Sequence, residues 1–174
     1  SPGAPSIDEL NLRKKKVVYL SEIYSKMHKG IVSHVKYITR DNIELLRSMS
    51  YVFICVDKNS VRHEIIKELL KMNLSFIDVG LGVNLVDDKL IGIVRTTTGT
   101  PNKNNHLDKR ISSEDTDDND YVTNIQIADL NALNAVMAVL KWKKLSGFYQ
   151  DLTEEHNSLY SINVAQLLNG DSTV

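Results

Sequence analysis

Cysteine is almost absent from this chain: Cys55 is the only one in 174 residues. An internal disulfide is therefore impossible, and no cysteine pair exists to build a zinc knuckle. Cys55 stands inside the apolar run 52–56, where a buried core thiol is the expected state. Long hydrophobic runs are missing too. None approaches the roughly 18 residues a membrane-spanning helix needs, and no signal peptide is visible at the first residues. Charge of one sign is also lacking. The 21 Lys and Arg against 22 Asp and Glu leave a net charge of −1, so there is no electrostatic footprint for nucleic acid or an anionic membrane. The five histidines, at 28, 34, 63, 106 and 156, have no metal-ligand spacing, and no Ser, His and Asp arrangement reads as a hydrolase motif. A reducing, cytoplasmic setting fits these absences.

What remains is the composition of an ordinary folded core, 42% hydrophobic and 25% charged, at a length that suggests a single domain. Its most informative stretch is 51–83, YVFICVDKNSVRHEIIKELLKMNLSFIDVGLGV. Residues 52–56 form an apolar, β-branched run suited to a strand buried on both faces. Asp57 ends it. Val61, Ile65, Ile66, Leu69, Leu70 and Met72 then recur at helical spacing, with Asn59 or Ser60 as N-cap, Glu64 in the first turn and Asn73 as the stop. Residues 74–79 read as a second strand, ending at Gly80 and Gly82, where the backbone needs unusual dihedrals or a close neighbour. Two parallel strands joined by a helix make a right-handed crossover, and such sheets bind ligands outside the carboxyl ends of their strands. Asp57 lies at one such end. By position alone it reads equally as a helix-capping or turn carboxylate.

Around this unit the expectations are as follows. Residues 1–8, with two prolines and a glycine, are an irregular entry and look like a cut end. Residues 9–29 form a helix carrying Lys14, Lys15 and Lys16, stopped by Gly30. Residues 31–38 form a strand, and a short helix capped by Thr39 or Asp41 runs through Leu46. Residues 83–86 and 90–98 form a hairpin around Asp87, Asp88 and Lys89. Residues 99–124 form a mobile, acidic loop. Asp115, Asp117 and Asn119 have the alternation of a calcium loop, but Asp120 replaces its glycine and Gln126 its bidentate Glu, so calcium is not expected. Residues 125–145 form a long helix in which Asp129, Asn131 and Asn134 are expected at its surface. Residues 159–164 form a last strand, and Asn169, Gly170 and Asp171 a terminal turn.

The order of apolar strand, Cys-Val-Asp57, Arg62, helix and Phe-Ile-Asp-Val-Gly80 resembles the core of the ThiF, MoeB and ubiquitin-activating superfamily of adenylating enzymes. The resemblance implies a Rossmann-like α/β fold with a mainly parallel sheet, flanking helices and an antiparallel hairpin. It implies that Asp57 holds Mg²⁺ and the phosphates of ATP, that Lys16 contacts a phosphate, and that Lys58 and Asn59 border the nucleotide. Arg62 would orient Asp57 or the helix beside it. The family usually has Asn where this chain has Lys58. The loop after the hairpin lacks the cysteine that forms thioesters in the ubiquitin-activating members, leaving carboxylate adenylation as the implied chemistry.

The glycine-rich turn, ribose-binding acid and arginines of the family's first half are missing, so the chain is expected to be the C-terminal portion of such an enzyme and inactive alone. Its implied partner is a ubiquitin-like or sulfur-carrier protein, its implied assembly a homodimer, and zinc is not expected. Two other readings stand beside this one. The first is a catalytically silent α/β module for dimerisation or partner binding. The second is another nucleotide-dependent enzyme of the doubly wound type.

Overall fold

The computed structural model describes residues 5–112 and 127–173, and the acidic positions considered above for calcium lie outside them. Contacts divide the chain into two compact units, Ser1–Asn42 and Ile43–Val174.

In the first unit α1, Ile7–Asn11, begins with a reciprocal cap: Glu9 N donates to Ser6 Oγ, and Ser6 N donates to Glu9 Oε2 at 2.7 Å. The expected single helix is broken after α1, where Arg13 takes a left-handed φ of 46°, and resumes as α2, Lys16–Tyr24. The strand expected over 31–38 does not form. Its alternation is weak and no other strand pairs with it, so the segment is irregular.

The second unit is a mixed α/β structure around one open, five-stranded sheet ordered β1-β2-β3-β4-β5. A 3₁₀ turn over Ile43–Ser48 leads into β1, Val52–Ile54. Helix α3, Asn59–Lys71, crosses over to β2, Phe76–Val86, which lies parallel to β1. The N-cap is Lys58 rather than Asn59 or Ser60, with no side-chain cap. Asn73 stops the helix as expected, in a left-handed conformation at φ 55°.

From there every pairing is antiparallel: β2 with β3 (Lys89–Gly99), β3 with β4 (Asn157–Ser161), and β4 with β5 (Gln166–Gly170). The mainly parallel sheet of the expectation is thus corrected to one parallel pair. Tight turns join β2 to β3 and β4 to β5 and force those pairs antiparallel, while the long connection over residues 100–156 returns the chain so that β4 also lies antiparallel to β3. The strand expected over 74–79 and the first hairpin arm are one continuous β2. Asp87 and Asp88, both at positive φ, make the tight turn that reverses it. The terminal turn expected at 169–171 is corrected: Asn169 and Gly170 belong to an unanticipated fifth strand, where they pair with Ser158 and Asn157 of β4.

Side chains alternate across this sheet. On one face Val83 and Val94 pack with Leu130 of α5, Ala128–Leu145, with Leu133, Met137, Tyr160 and Ile162 around them. Phe76 lies on the other face, fully buried and opposite Gly99. A Cβ at Gly99 would come within 2.3 Å of the Phe76 ring, so only glycine fits there. Helix α4, Leu107–Arg110, packs against β3.

Candidate functional site

Because β1 stops at Ile54, the edge of β2 beyond Asp78 is left without a strand partner on that side. A concavity of about 540 Å³ opens there, at the carboxyl end of the parallel pair β1 and β2. Its lining includes Asp57, Asn59, Arg62, Arg95, Arg110 and Asn134. Doubly wound sheets offer ligands the same position.

The chemistry of this pocket is organised beneath it by Asp78, whose side chain is fully buried in β2. Arg62 comes from the first turn of α3 and places Nε 2.8 Å from Asp78 Oδ1, as a charge contact without hydrogen-bond alignment. Arg95 comes from β3 and donates from Nη2 to Asp78 Oδ2 at 2.6 Å. Burial raises the Asp78 pKa above the ordinary aspartate value, and the Arg95 and Arg62 guanidiniums oppose that shift. Two cations thus share one buried anion: this trio carries one net positive charge, and the exposed Asp57 of the same lining one negative.

The arginines are themselves held. Arg62 donates from Nη2 to the Val56 carbonyl at 2.6 Å and from Nη1 to the Asn59 side chain, so it grips both sides of the bend carrying Asp57. Arg95 donates from Nη1 to Thr97 Oγ1, which in turn donates to Asn157 Oδ1. Arg95 also sits directly across from Gly80 in the ladder. A Cβ at Gly80 would lie 2.9 Å from Arg95 Nη2, so the guanidinium occupies the space a side chain would take. Asn134 of α5 donates from Nδ2 to the Gly80 carbonyl at 3.0 Å and ties down the free edge. Arg110 is paired with Asp171 at 2.7 Å, and that hydrogen bond lowers the Asp171 pKa.

The structure brings Asp57, Asn59 and Arg62 together in this pocket. Asp57 is exposed on the bend between β1 and α3. Lys58 is exposed beside it and does not belong to the lining given above. Lys16 opens α2 in the other unit, where it borders a different, larger concavity of about 880 Å³ lined mainly by apolar residues of 15–37. The smaller of these two concavities is the candidate site, because its lining is polar and charged and it opens at the carboxyl end of parallel strands, where open sheets bind ligands.

Two expectations are corrected. Cys55 is exposed and lines the pocket rather than being buried, because the strand ends one residue before it. Asn134 is buried, on the same stripe of α5 as Leu130, Ala138 and Lys141, rather than at the helix surface. Asp78 and Arg95 were missed as site residues. Their signal was available: a charged residue in the middle of an apolar strand must find a partner of opposite charge.

Asp57 is a lone carboxylate, and no cluster of three or more His, Cys, Asp or Glu side chains is present among the described residues. Mg²⁺ is commonly held by one or two carboxylates, with water and substrate phosphates completing its shell. An exposed aspartate beside a surplus of guanidinium charge fits a cation that arrives with a polyphosphate. No helix among the described residues is long and apolar enough to cross a membrane.

The class defined by this geometry is a mixed α/β protein with a charged pocket at the end of its parallel strand pair. No family model matches the chain, and no significant match to a curated protein was found.

Proposed function

We propose that this chain forms part of an ATP-dependent adenylating enzyme that activates a C-terminal carboxylate, that of a ubiquitin-like or sulfur-carrier protein, with release of pyrophosphate. One observation carries the reading. At the carboxyl end of β1 an exposed carboxylate, Asp57, stands in the same pocket as two guanidinium groups that share the single buried carboxylate of Asp78.

In this reading Arg62 and Arg95 supply the surplus positive charge that draws in the phosphate chain. Arg62 also braces the bend at Val56 and Asn59, fixing the direction in which Asp57 is presented. Asp57 would hold Mg²⁺, which when bound screens the negative charge of the phosphates. A glycine-rich strand-to-helix turn, the usual phosphate cradle, is absent from the described residues. This chain therefore supplies the carboxylate and guanidinium side of the site and needs such a cradle for turnover.

ATP–pyrophosphate exchange tests the proposal, using the longest natural form of the protein and a peptide ending in a free carboxylate. Exchange should occur, and Asp57→Ala should lower it about 100-fold or more, the scale of losing a charge-stabilising group. Normal exchange in that variant would sink the assignment. The silent binding module is favoured by a different observation. Val136, Val139 and Leu140 of α5 are 43% to 55% exposed, away from the buried stripe of that helix. Absence of exchange together with self-association would decide for it.

A further inference from the structure

Arg95 has no counterpart among the positions expected from the sequence, yet its surroundings are the most specifically built in the pocket. Its side chain is 16% exposed, and its carboxylate partner is completely buried. Two anchors on its own face of the sheet, Asp78 Oδ2 and Thr97 Oγ1, each take one donor at 2.6 Å. Three further N–H groups, one on each of Nη1, Nη2 and Nε, are not used by these contacts. The empty place above Gly80 is filled by the guanidinium itself.

Asp78 carries one negative charge, and Arg62 already stands 2.8 Å from its Oδ1. The second arginine overcompensates the charge at a position where it borders a cavity. Charge left over at the wall of a pocket, on a planar fork held from two sides, is the arrangement that recognises an oxyanion.

We propose that Arg95 is an oxyanion-binding residue of this pocket, and that Asp78 and Gly80 are positioning residues that set its guanidinium in place. The inference deepens the adenylation reading by naming the group that meets the oxyanion. It does not need turnover to be tested. Two sources could provide the oxyanion: the phosphate chain of the nucleotide or the terminal carboxylate of the acceptor.

The experiment is calorimetric titration of the full 174-residue chain with magnesium-free pyrophosphate, and separately with acetyl-glycyl-glycine. Wild type is compared with Gly80→Ala, Arg95→Gln and Asp78→Asn. Gly80→Ala is the most informative variant because it changes no charge and crowds only the flexible end of Arg95. It should fold normally and weaken binding at least fivefold, and Arg95→Gln should weaken it at least tenfold.

Asp78→Asn separates positioning from charge by sign. Removing a negative group would tighten anion binding if charge alone mattered, whereas loss of the anchor weakens it. Circular dichroism and thermal melting confirm that each variant is folded. Dependence on Arg95 for pyrophosphate assigns the residue to the nucleotide, and dependence for the dipeptide alone assigns it to the acceptor. Either result supports the proposal, even if exchange fails. Binding of both probes unchanged by Gly80→Ala and Arg95→Gln overturns it, as does no binding of either probe by the wild type, even if exchange succeeds.

Discussion

Asp78 Oδ2 and Arg95 Nη2 lie 2.6 Å apart across two neighbouring strands, with the carboxylate wholly removed from water. Burying a charge is costly, and a buried ion pair is tolerated because each partner offsets the other's loss of solvent. Arg62 adds a second cation at 2.8 Å. Asp78→Ala should therefore destabilise the fold by about 3–5 kcal/mol, the cost of leaving buried charge uncompensated. Urea denaturation with circular dichroism would measure it. Asp57→Ala should shift the same midpoint by less than about 0.5 kcal/mol, since an exposed bend residue carries little of the fold. The two aspartates thus divide: one supports the site, the other faces its ligand.

A pH-dependent weakness is built in one residue along from Thr97 and Asn157, the anchor of Arg95. Thr98 Oγ1 and His156 Nδ1 are 2.7 Å apart, and His106 Nε2 lies 3.0 Å from the Thr98 carbonyl oxygen. The two rings are 5.7 Å apart. Burial, reinforced by the charges of Lys141, His106 and Lys103 and opposed by Glu155, lowers the His156 pKa to about 4, and burial also lowers that of His106. The unfolded chain binds these protons near pH ~6.5, so it gains protons first as pH falls. Stability should be full above about pH 6.5 and decline toward pH 4, at no more than about 1.4 kcal/mol per pH unit for each histidine. Urea midpoints measured across that range would show the slope, and His156→Gln should flatten it.

Much of this fold was legible because one stretch obeys its local rules without conflict. The apolar run before Asp57, the helical period from Val61 and the stop at Asn73 all point to the same unit. The hairpin was legible too, because Asp87 and Asp88 accept the positive φ that a tight turn demands. The failures have physical causes. A strand over 31–38 cannot be judged from alternation alone, because a strand exists only where a partner supplies hydrogen bonds. Gly80 looked like a strand end, yet β2 runs through it because the missing side chain makes room for Arg95. The pairing of Asp78 with Arg62 and Arg95 depends on a crossover and a hairpin register together, and no local pattern contains both.

Lys141 offers a test of the polar stripe on α5. It is 6% exposed, with Asp151 at 2.8 Å and Glu155 at 3.4 Å, and Lys144 shares both carboxylates. Burial alone would raise the Asp151 pKa, but the hydrogen bond and charge of Lys141, with help from Lys144, lower it to about 2. That contribution to stability is present above about pH 4 and lost as pH falls toward 2. Lys141→Met keeps the length of the stem and removes the charge. It should cost about 3 kcal/mol near neutral pH, because Lys144 alone compensates the carboxylates poorly. The Asp151 resonance, followed by NMR titration, should move back toward the ordinary aspartate range.

Cys55 reports on the pocket directly, because its exposed side chain lines the same concavity as Asp57 and Arg62. A core thiol would be inert in the native protein, whereas an exposed one reacts without unfolding. The native chain should therefore consume one equivalent of an aromatic disulfide reagent within minutes, at a rate far above that of global opening. A ligand in the pocket should shield the thiol. Saturating pyrophosphate is expected to slow the reaction at least threefold in wild type and to have no effect in Arg95→Gln, where the pocket no longer holds the anion. A thiol that reacts only in urea would place Cys55 back in the core and remove it from the pocket wall. Slowing that persists in Arg95→Gln would move the anion to another part of the same concavity.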